Sequence, residues 1–236
     1  EPDGYTILIS PAGPVTTQPH LRKIPYSLES FDPIGRLTVS EMLMMVPKDS
    51  PYKTAKDLIA AAKAKPGKMK FASTGAGTLP HISILALDGM AGIKSKHIPF
   101  KGSANVMKAL LGNVVDVFSD QAQLVPKYDL RALAVWSANR MDLYPNVPTM
   151  KELGYNYQIA NWIGMFAPKG TPAAIKNKIE DALNEALKAA STKKNFGNLK
   201  LVTGFLNQAA FGKFSQEVFV QNGKHLDNAG LLGTVK

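Results

Sequence analysis

The chain has 236 residues, 45% hydrophobic and 19% charged, which suffices for one large or two small globular domains. It contains no cysteine, which excludes disulfides, thiolate metal sites and cysteine nucleophiles, and no apolar run approaches the roughly 18 residues of a membrane-spanning helix. The net charge of +10 comes from lysines scattered over presumed helix faces and polar connections, without the basic-aromatic platform of a nucleic-acid binder.

In chain order, Tyr5 to Ile9 reads as a buried strand that ends in the Ser10-Pro11-Ala12-Gly13-Pro14 break. Residues 34–46 look extended and close on the apolar run Met42 to Val46. Pro47 to Pro51 is a loop. Thr54 is placed to cap a helix that carries Leu58, Ile59 and Ala62 on one face and stops at Pro66-Gly67.

The unit then repeats. Met69 to Ser73 is a strand, Gly75-Ala76-Gly77 a tight turn and Leu79 to Met90 a helix. His97 to Phe100 is a strand, and Ser103 is placed to cap the helix bearing Val106, Met107 and Leu110. Val114 to Phe118, Arg131 to Ser137 and Trp162 to Ala167 are further strands. Thr171-Pro172 starts a helix as cap and first helical position, and Phe211, Phe214 and Val218 line a last helix from about 209 to 224. This alternation predicts an α/β fold with mainly parallel sheets.

The best local candidate for chemistry is Ser73-Thr74-Gly75-Ala76-Gly77-Thr78-Leu79-Pro80-His81. A strand ends, glycines turn the chain and a helix begins, so free backbone N–H groups and the positive end of a helix dipole face one point that suits an anion. Ser73, Thr74 and Thr78 would add hydroxyl donors, and His81 would point at the site from the first helical turn. The same residues also fit a glycine turn that only reverses the chain. A third glycine and a Walker-type lysine are both lacking, so this is not a nucleotide fingerprint.

Pro99-Phe100-Lys101-Gly102-Ser103 repeats the strand, turn and helix start: either Lys101 reaches an anion and the Gly102 and Ser103 amides bind it, or Lys101 is a surface lysine beside a helix cap. Asp120, after the 114–118 strand, either receives a ligand ammonium or hydroxyl or caps the next turn. Trp162 and Phe118 are candidates for setting ligand size, with core packing as the other reading. Ser10 and Pro11, at the end of the first strand, complete the candidate contacts. His20, His81, His97 and His225 show no metal-ligand spacing, so neither metal nor cofactor is expected. Gly-x-Ser-x-Gly is absent and no nucleophile–base constellation stands out; the enzymatic alternative is an α/β fold using Asp120 and His81 as acid and base on a carboxylate substrate.

At these turns the sequence resembles the Bug family, the TctC-like solute receptors of tripartite tricarboxylate transporters. The matching segments are ordered along nearly the whole chain. They include Pro2-Asp3-Gly4-Tyr5-Thr6, Phe31-Asp32-Pro33-Ile34, the glycine turn through His81, His97-Ile98-Pro99-Phe100-Lys101-Gly102, Arg131-Ala132-Leu133-Ala134-Val135, Pro145-Asn146-Val147-Pro148-Thr149 and Ala167-Pro168-Lys169-Gly170-Thr171-Pro172.

The resemblance implies a periplasmic binding protein of venus-flytrap type, with two α/β domains and a ligand cleft between them: residues 1–37 with 163–236, and residues 38–162. It implies that a small carboxylate is gripped by Thr74 to Thr78 of the second domain, that hinges near 36–40 and 160–164 close on it, and that membrane components of a transporter are the partner. The expected state is a periplasmic monomer without catalytic residues. Family members begin with a further β-α unit before the Pro-Asp-Gly-Tyr match, so the resemblance also implies a chain incomplete at its N-terminus.

Overall fold

The computed structural model describes residues 1–198 and 201–234. The chain divides into two compact units: Glu1–Ser40 with Asn161–Lys236, and Glu41–Ala160. The α/β expectation holds in both. No helix among the described residues is long and apolar enough to cross a membrane.

The first unit contains β1 (Leu8–Pro11), α1 (Ala12–Thr16), α2 (Gln18–Leu21), the first part of β2 (Phe31–Pro47), β7 (Ala160–Pro168), α7 (Ala173–Lys188), α8 (Ala190–Asn198), β8 (Thr203–Leu206) and α9 (Gln208–Asn228). Its strand order is β1-β7-β2-β8, with β1–β7 and β2–β8 antiparallel. The buried strand expected over Tyr5 to Ile9 begins only at Leu8; Tyr5 is 94% exposed and Ile9 57%. β1 is the edge strand of this sheet, and an apolar run there need not be covered on both faces. The break expected at Ser10 to Pro14 is the end of β1 running into α1. Pro14 is tolerated because the first helical turn has no acceptor for its missing N–H.

Ile34, Ala167, Leu183 and Leu187 form one core of this unit. A second packs aromatic rings: Phe211 against Phe166 at 5.0 Å and edge-on to Trp162 at 5.4 Å. Asp32, almost fully buried, takes Lys176 at 3.0 Å, Lys169 at 3.1 Å and the Gly170 N–H at 3.1 Å, tying β2 to the segment before α7. Burial works to raise its carboxyl, but these partners hold it below the usual carboxylate range. Pro172, not Thr171, is the N-cap of α7; the Thr171 hydroxyl donates to the Pro168 carbonyl, which moves the helix start one residue on.

The second unit contains the rest of β2, α3 (Ala55–Ala64), β3 (Lys70–Ser73), α4 (Leu79–Ala91), β4 (Lys96–Pro99), α5 (Ser103–Leu111), β5 (Val117–Gln121), α6 (Leu124–Lys127) and β6 (Leu130–Val135). The strand order is β6-β2-β5-β3-β4. Thr54 caps α3 as expected: its hydroxyl takes the Asp57 N–H while Asp57 takes the Thr54 N–H, a capping box, and Leu58, Ile59 and Ala62 are buried. Gly92, in the left-handed region, stops α4.

The mainly parallel sheet does not hold in detail. Among the described ladders, parallel pairing is confined to β3 with β4 and β3 with β5, whereas β2 runs antiparallel to β5 and β6. The apolar run Met42 to Val46 is fully buried. Such a run encodes burial on both faces, and it carries no information on the direction of its neighbours.

Candidate functional site

β3 lies between β5 and β4, parallel to both. The register sets Ser73 beside Pro99 and Ala72 beside Phe118, so the carboxyl ends of three strands form one edge of the second unit. The glycine turn, Lys101 and Asp120 all fall on that edge, where ligands of open α/β sheets are received.

The turn is built inward. Ser73 is fully buried; its Oγ accepts the Gly75 N–H at 3.1 Å and donates to the Gly75 carbonyl at 3.0 Å. The Thr78 hydroxyl donates to the same carbonyl at 2.8 Å. Gly75 (φ 137) and Gly77 (φ 74) hold backbone conformations that L side chains rarely adopt. The Gly77 N–H donates to His81 Nδ1 at 3.0 Å, and the Thr78 N–H reaches back to the Gly75 carbonyl at 3.4 Å.

These bonds correct three expectations. The Ser73 and Thr78 hydroxyls are spent on Gly75 instead of facing outward. The amides of Gly75 and Gly77 are likewise committed within the turn. His81 is 4% exposed, and its ring braces the turn from beneath. Among the described hydrogen bonds, the N–H groups of Ala76 and Leu79 have no acceptor. Leu79 opens α4, a 13-residue helix whose N-cap Thr78 gives it no side-chain bond, so the orphan donors and dipole of that terminus remain available. Ala76 is exposed and Thr74 half-buried.

His97, to which the sequence assigned no role, lies under the same turn. Its Nε2 is 2.6 Å from Ser73 Oγ, and its ring stacks on His81 at 4.0 Å with 15° between planes. With the Ser73 proton on the Gly75 carbonyl, His97 Nε2 is the donor to Oγ. Burial, reinforced by the neighbouring His97, pushes His81 down to about 4; burial also lowers His97. The parallel register of β3 and β4 brings His97 to Ser73, and that register is not encoded in either segment alone.

On the neighbouring turn, Gly102 (φ 83) is the N-cap of α5, and Ser103 is its first helical residue. The Ser103 hydroxyl donates to Asp120 Oδ2 at 2.7 Å instead of capping the helix, and Asp120 Oδ1 takes the Gln121 N–H at 2.9 Å. Asp120 lies within β5, opposite Leu43, not after the strand. Burial raises its carboxyl, against the bonds from Ser103 and Gln121. Lys101 is exposed beside this turn. Among the described residues no group of three or more His, Asp or Glu is placed to hold a metal ion.

Of the remaining candidates, Ser10, Pro11 and Trp162 lie in the first unit. Ser10 is buried, with its hydroxyl on the Pro11 carbonyl at 2.9 Å, and Pro11 is exposed. Trp162 is 1% exposed, edge-on to Phe211 and Phe214; its indole N–H has no partner among the described residues. Phe118 is fully buried in the core of the second unit.

The depressed His81 ring makes stability pH-dependent. Its folded value lies below 6.5, so its contribution is complete above pH 6.5 and is lost as pH falls from 6.5 towards 4, by up to about 3 kcal/mol. An asparagine keeps an acceptor for Gly77 without a titrating proton. Urea unfolding at pH 7.5 and pH 4.5 should therefore show the wild type losing about 2 kcal/mol more than His81→Asn. Equal losses would mean that His81 is not held neutral by the fold.

Comparison with known proteins adds to this geometry. A family model described as the tripartite tricarboxylate transporter family receptor, TctC, matches residues 1–231. The "UPF0065 protein in gbd 5'region" of Cupriavidus necator is 33% identical over 234 residues, covering 98% of this chain and 71% of the relative. Four further curated relatives, among them BugT of Bordetella pertussis, are covered over only 58 to 62% of their length. A TctC solute binding protein from Polaromonas superposes with a TM-score of 0.87 at 27% identity, over 97% of this chain and 80% of that one. The periplasmic binding protein BugD superposes with a TM-score of 0.77 at 31% identity, over 98% and 80%.

Proposed function

Since this chain belongs to the TctC family of tripartite tricarboxylate transporter receptors, we propose that it is a periplasmic solute receptor that captures a small carboxylate at the carboxyl edge of β3, β4 and β5 and presents it to the membrane components of a transporter. The observation that carries this reading is the pair of uncommitted N–H groups of Ala76 and Leu79 at the start of α4, beside exposed Lys101. Aligned amide dipoles and a helix N-terminus stabilise a carboxylate without requiring a buried cation. Thr74, half-buried on the same turn, is the side chain assigned to the ligand; Ser73, Thr78 and His81 build the turn beneath it.

The protein acts by binding alone. The groups an acid–base mechanism would use are engaged in structure: His81 Nδ1 by Gly77, and Asp120 by Ser103 and Gln121. The receptor works as a monomer.

Calorimetric titration with succinate, citrate, glutamate and benzoate is expected to find a ligand of micromolar affinity or better, about −8 kcal/mol. Mass spectrometry of that acid after long incubation is expected to return it unaltered. Heat from amines or neutral sugars with silence from all four acids rejects the carboxylate reading, and a chemically changed acid rejects the non-enzymatic one.

A further inference from the structure

We propose that the stacked imidazoles of His81 and His97 are positioning residues that clamp the glycine turn from both sides of Ala76 and so aim its free N–H groups at the ligand; the inference deepens the carboxylate-receptor reading and rests on it. The turn contains Gly75 and Gly77 at positive φ, residues with more backbone freedom than any others. A donor held between two glycines, as the Ala76 N–H is, binds an anion well only if its direction is fixed in advance, because ordering it at the moment of binding costs affinity.

Two clamps supply that order. On one side His81 Nδ1 takes the Gly77 N–H. On the other, His97 Nε2 meets Ser73 Oγ, which in turn holds both the N–H and the carbonyl of Gly75. Ala76 is the residue between the two clamped glycines. The rings lie face to face at 4.0 Å, so neither can tilt without moving the other. Neither ring is directed at the ligand; both act through the backbone they hold. Burial, which keeps both rings neutral, is consistent with this, since His81 can accept from Gly77 only with Nδ1 unprotonated.

Isosteric replacements separate bonding from bulk. Asparagine at 81 places an acceptor near Nδ1, whereas leucine fills the space without one. Glutamine at 97 places a donor near Nε2, whereas phenylalanine keeps a ring for His81 to stack on. In the full chain, amide hydrogen exchange read by NMR is expected to speed up about tenfold at Gly77 in His81→Leu and at Gly75 in His97→Phe, with His81→Asn and His97→Gln close to wild type. Affinity for the tightest of succinate, citrate, glutamate and benzoate is expected to fall about tenfold in the first pair and to be largely retained in the second.

If His81→Leu exchanges at Gly77 like His81→Asn, or His97→Phe exchanges at Gly75 like His97→Gln, the clamps are not what orders the turn. Faster exchange with unchanged affinity overturns the link to the ligand. Should the wild type bind none of the four acids, the carboxylate reading falls, and the exchange rates still decide whether the histidines order the turn.

Discussion

Gly164→Ala is expected to destabilise the first unit by about 3 kcal/mol and to lower its melting temperature by about 10 °C, although it adds a single methyl group. Gly164 lies in β7, and a Cβ there would sit 2.2 Å from Cζ and 2.8 Å from Cε1 of Phe211, with Trp162 Cζ3 at 3.1 Å. Phe211 cannot swing aside cheaply. It is fully buried, with Phe166 at 5.0 Å and Trp162 at 5.4 Å. Interiors are close-packed, so a forced displacement propagates to the next ring.

Two controls sharpen the expectation. Gly89→Ala, with nothing within 4 Å of the added Cβ on helix α4, should be neutral or stabilising by up to about 1 kcal/mol. Phe211→Leu costs stability alone, but combined with Gly164→Ala it should recover part of the loss, a favourable coupling of at least about 1 kcal/mol. Thermal melts of the wild type and the four variants decide it. Gly164→Ala melting like Gly89→Ala would mean that the aromatic cluster is looser than the packing distances indicate.

What the sequence made legible follows from how far each rule reaches. Thr54, three residues before Asp57, is a complete capping box within one stretch of chain, and the structure contains it. The strand, glycine turn and helix from β3 to α4 were readable because Gly75 and Gly77 impose their conformation locally. The long extended segment ending in Met42 to Val46 was readable from apolarity alone.

The failures lie where a residue chooses a distant partner. Ser103 looked like a cap, but Asp120, seventeen residues on, takes its hydroxyl, and the cap position falls to Gly102. Asp120 itself was placed after its strand because the apolar run stops at Phe118, whereas pairing with β2 extends β5 to Gln121. Thr171 is the local exception: its hydroxyl finds the Pro168 carbonyl three residues back, and the cap position falls to Pro172. The site shows the same division. Its backbone turn was visible, and its support by His97 was not, because the contact exists only once β3 and β4 pair in parallel register.

Gly75→Val is expected to weaken carboxylate affinity at least about a hundredfold while leaving the fold intact. At φ 137 the backbone occupies a region that a β-branched side chain does not tolerate, so the turn must rearrange at a cost of about 2 kcal/mol or give up its conformation. The Cβ itself is not obstructed, since it meets only Thr78 Cγ2 at 3.6 Å and the Phe100 carbonyl at 3.9 Å. The cost at Cβ is therefore one of backbone direction. Rearrangement breaks the bonds from Ser73 and Thr78 to the Gly75 carbonyl and redirects the adjoining Ala76 N–H. Hydrogen bonds to a charged group contribute about 1.5–3 kcal/mol each, so losing two costs about 3–6 kcal/mol, more than a hundredfold. Gly92→Val is the matched comparison: it too replaces a positive-φ glycine with open space around it, but at the C-terminal end of α4, away from the turn. Titration of both variants with the acid that the wild type binds best, alongside urea unfolding, distinguishes the two positions. If Gly75→Val binds that acid as tightly as Gly92→Val, the carboxylate does not dock on the glycine turn, and its donors must be sought elsewhere in the chain.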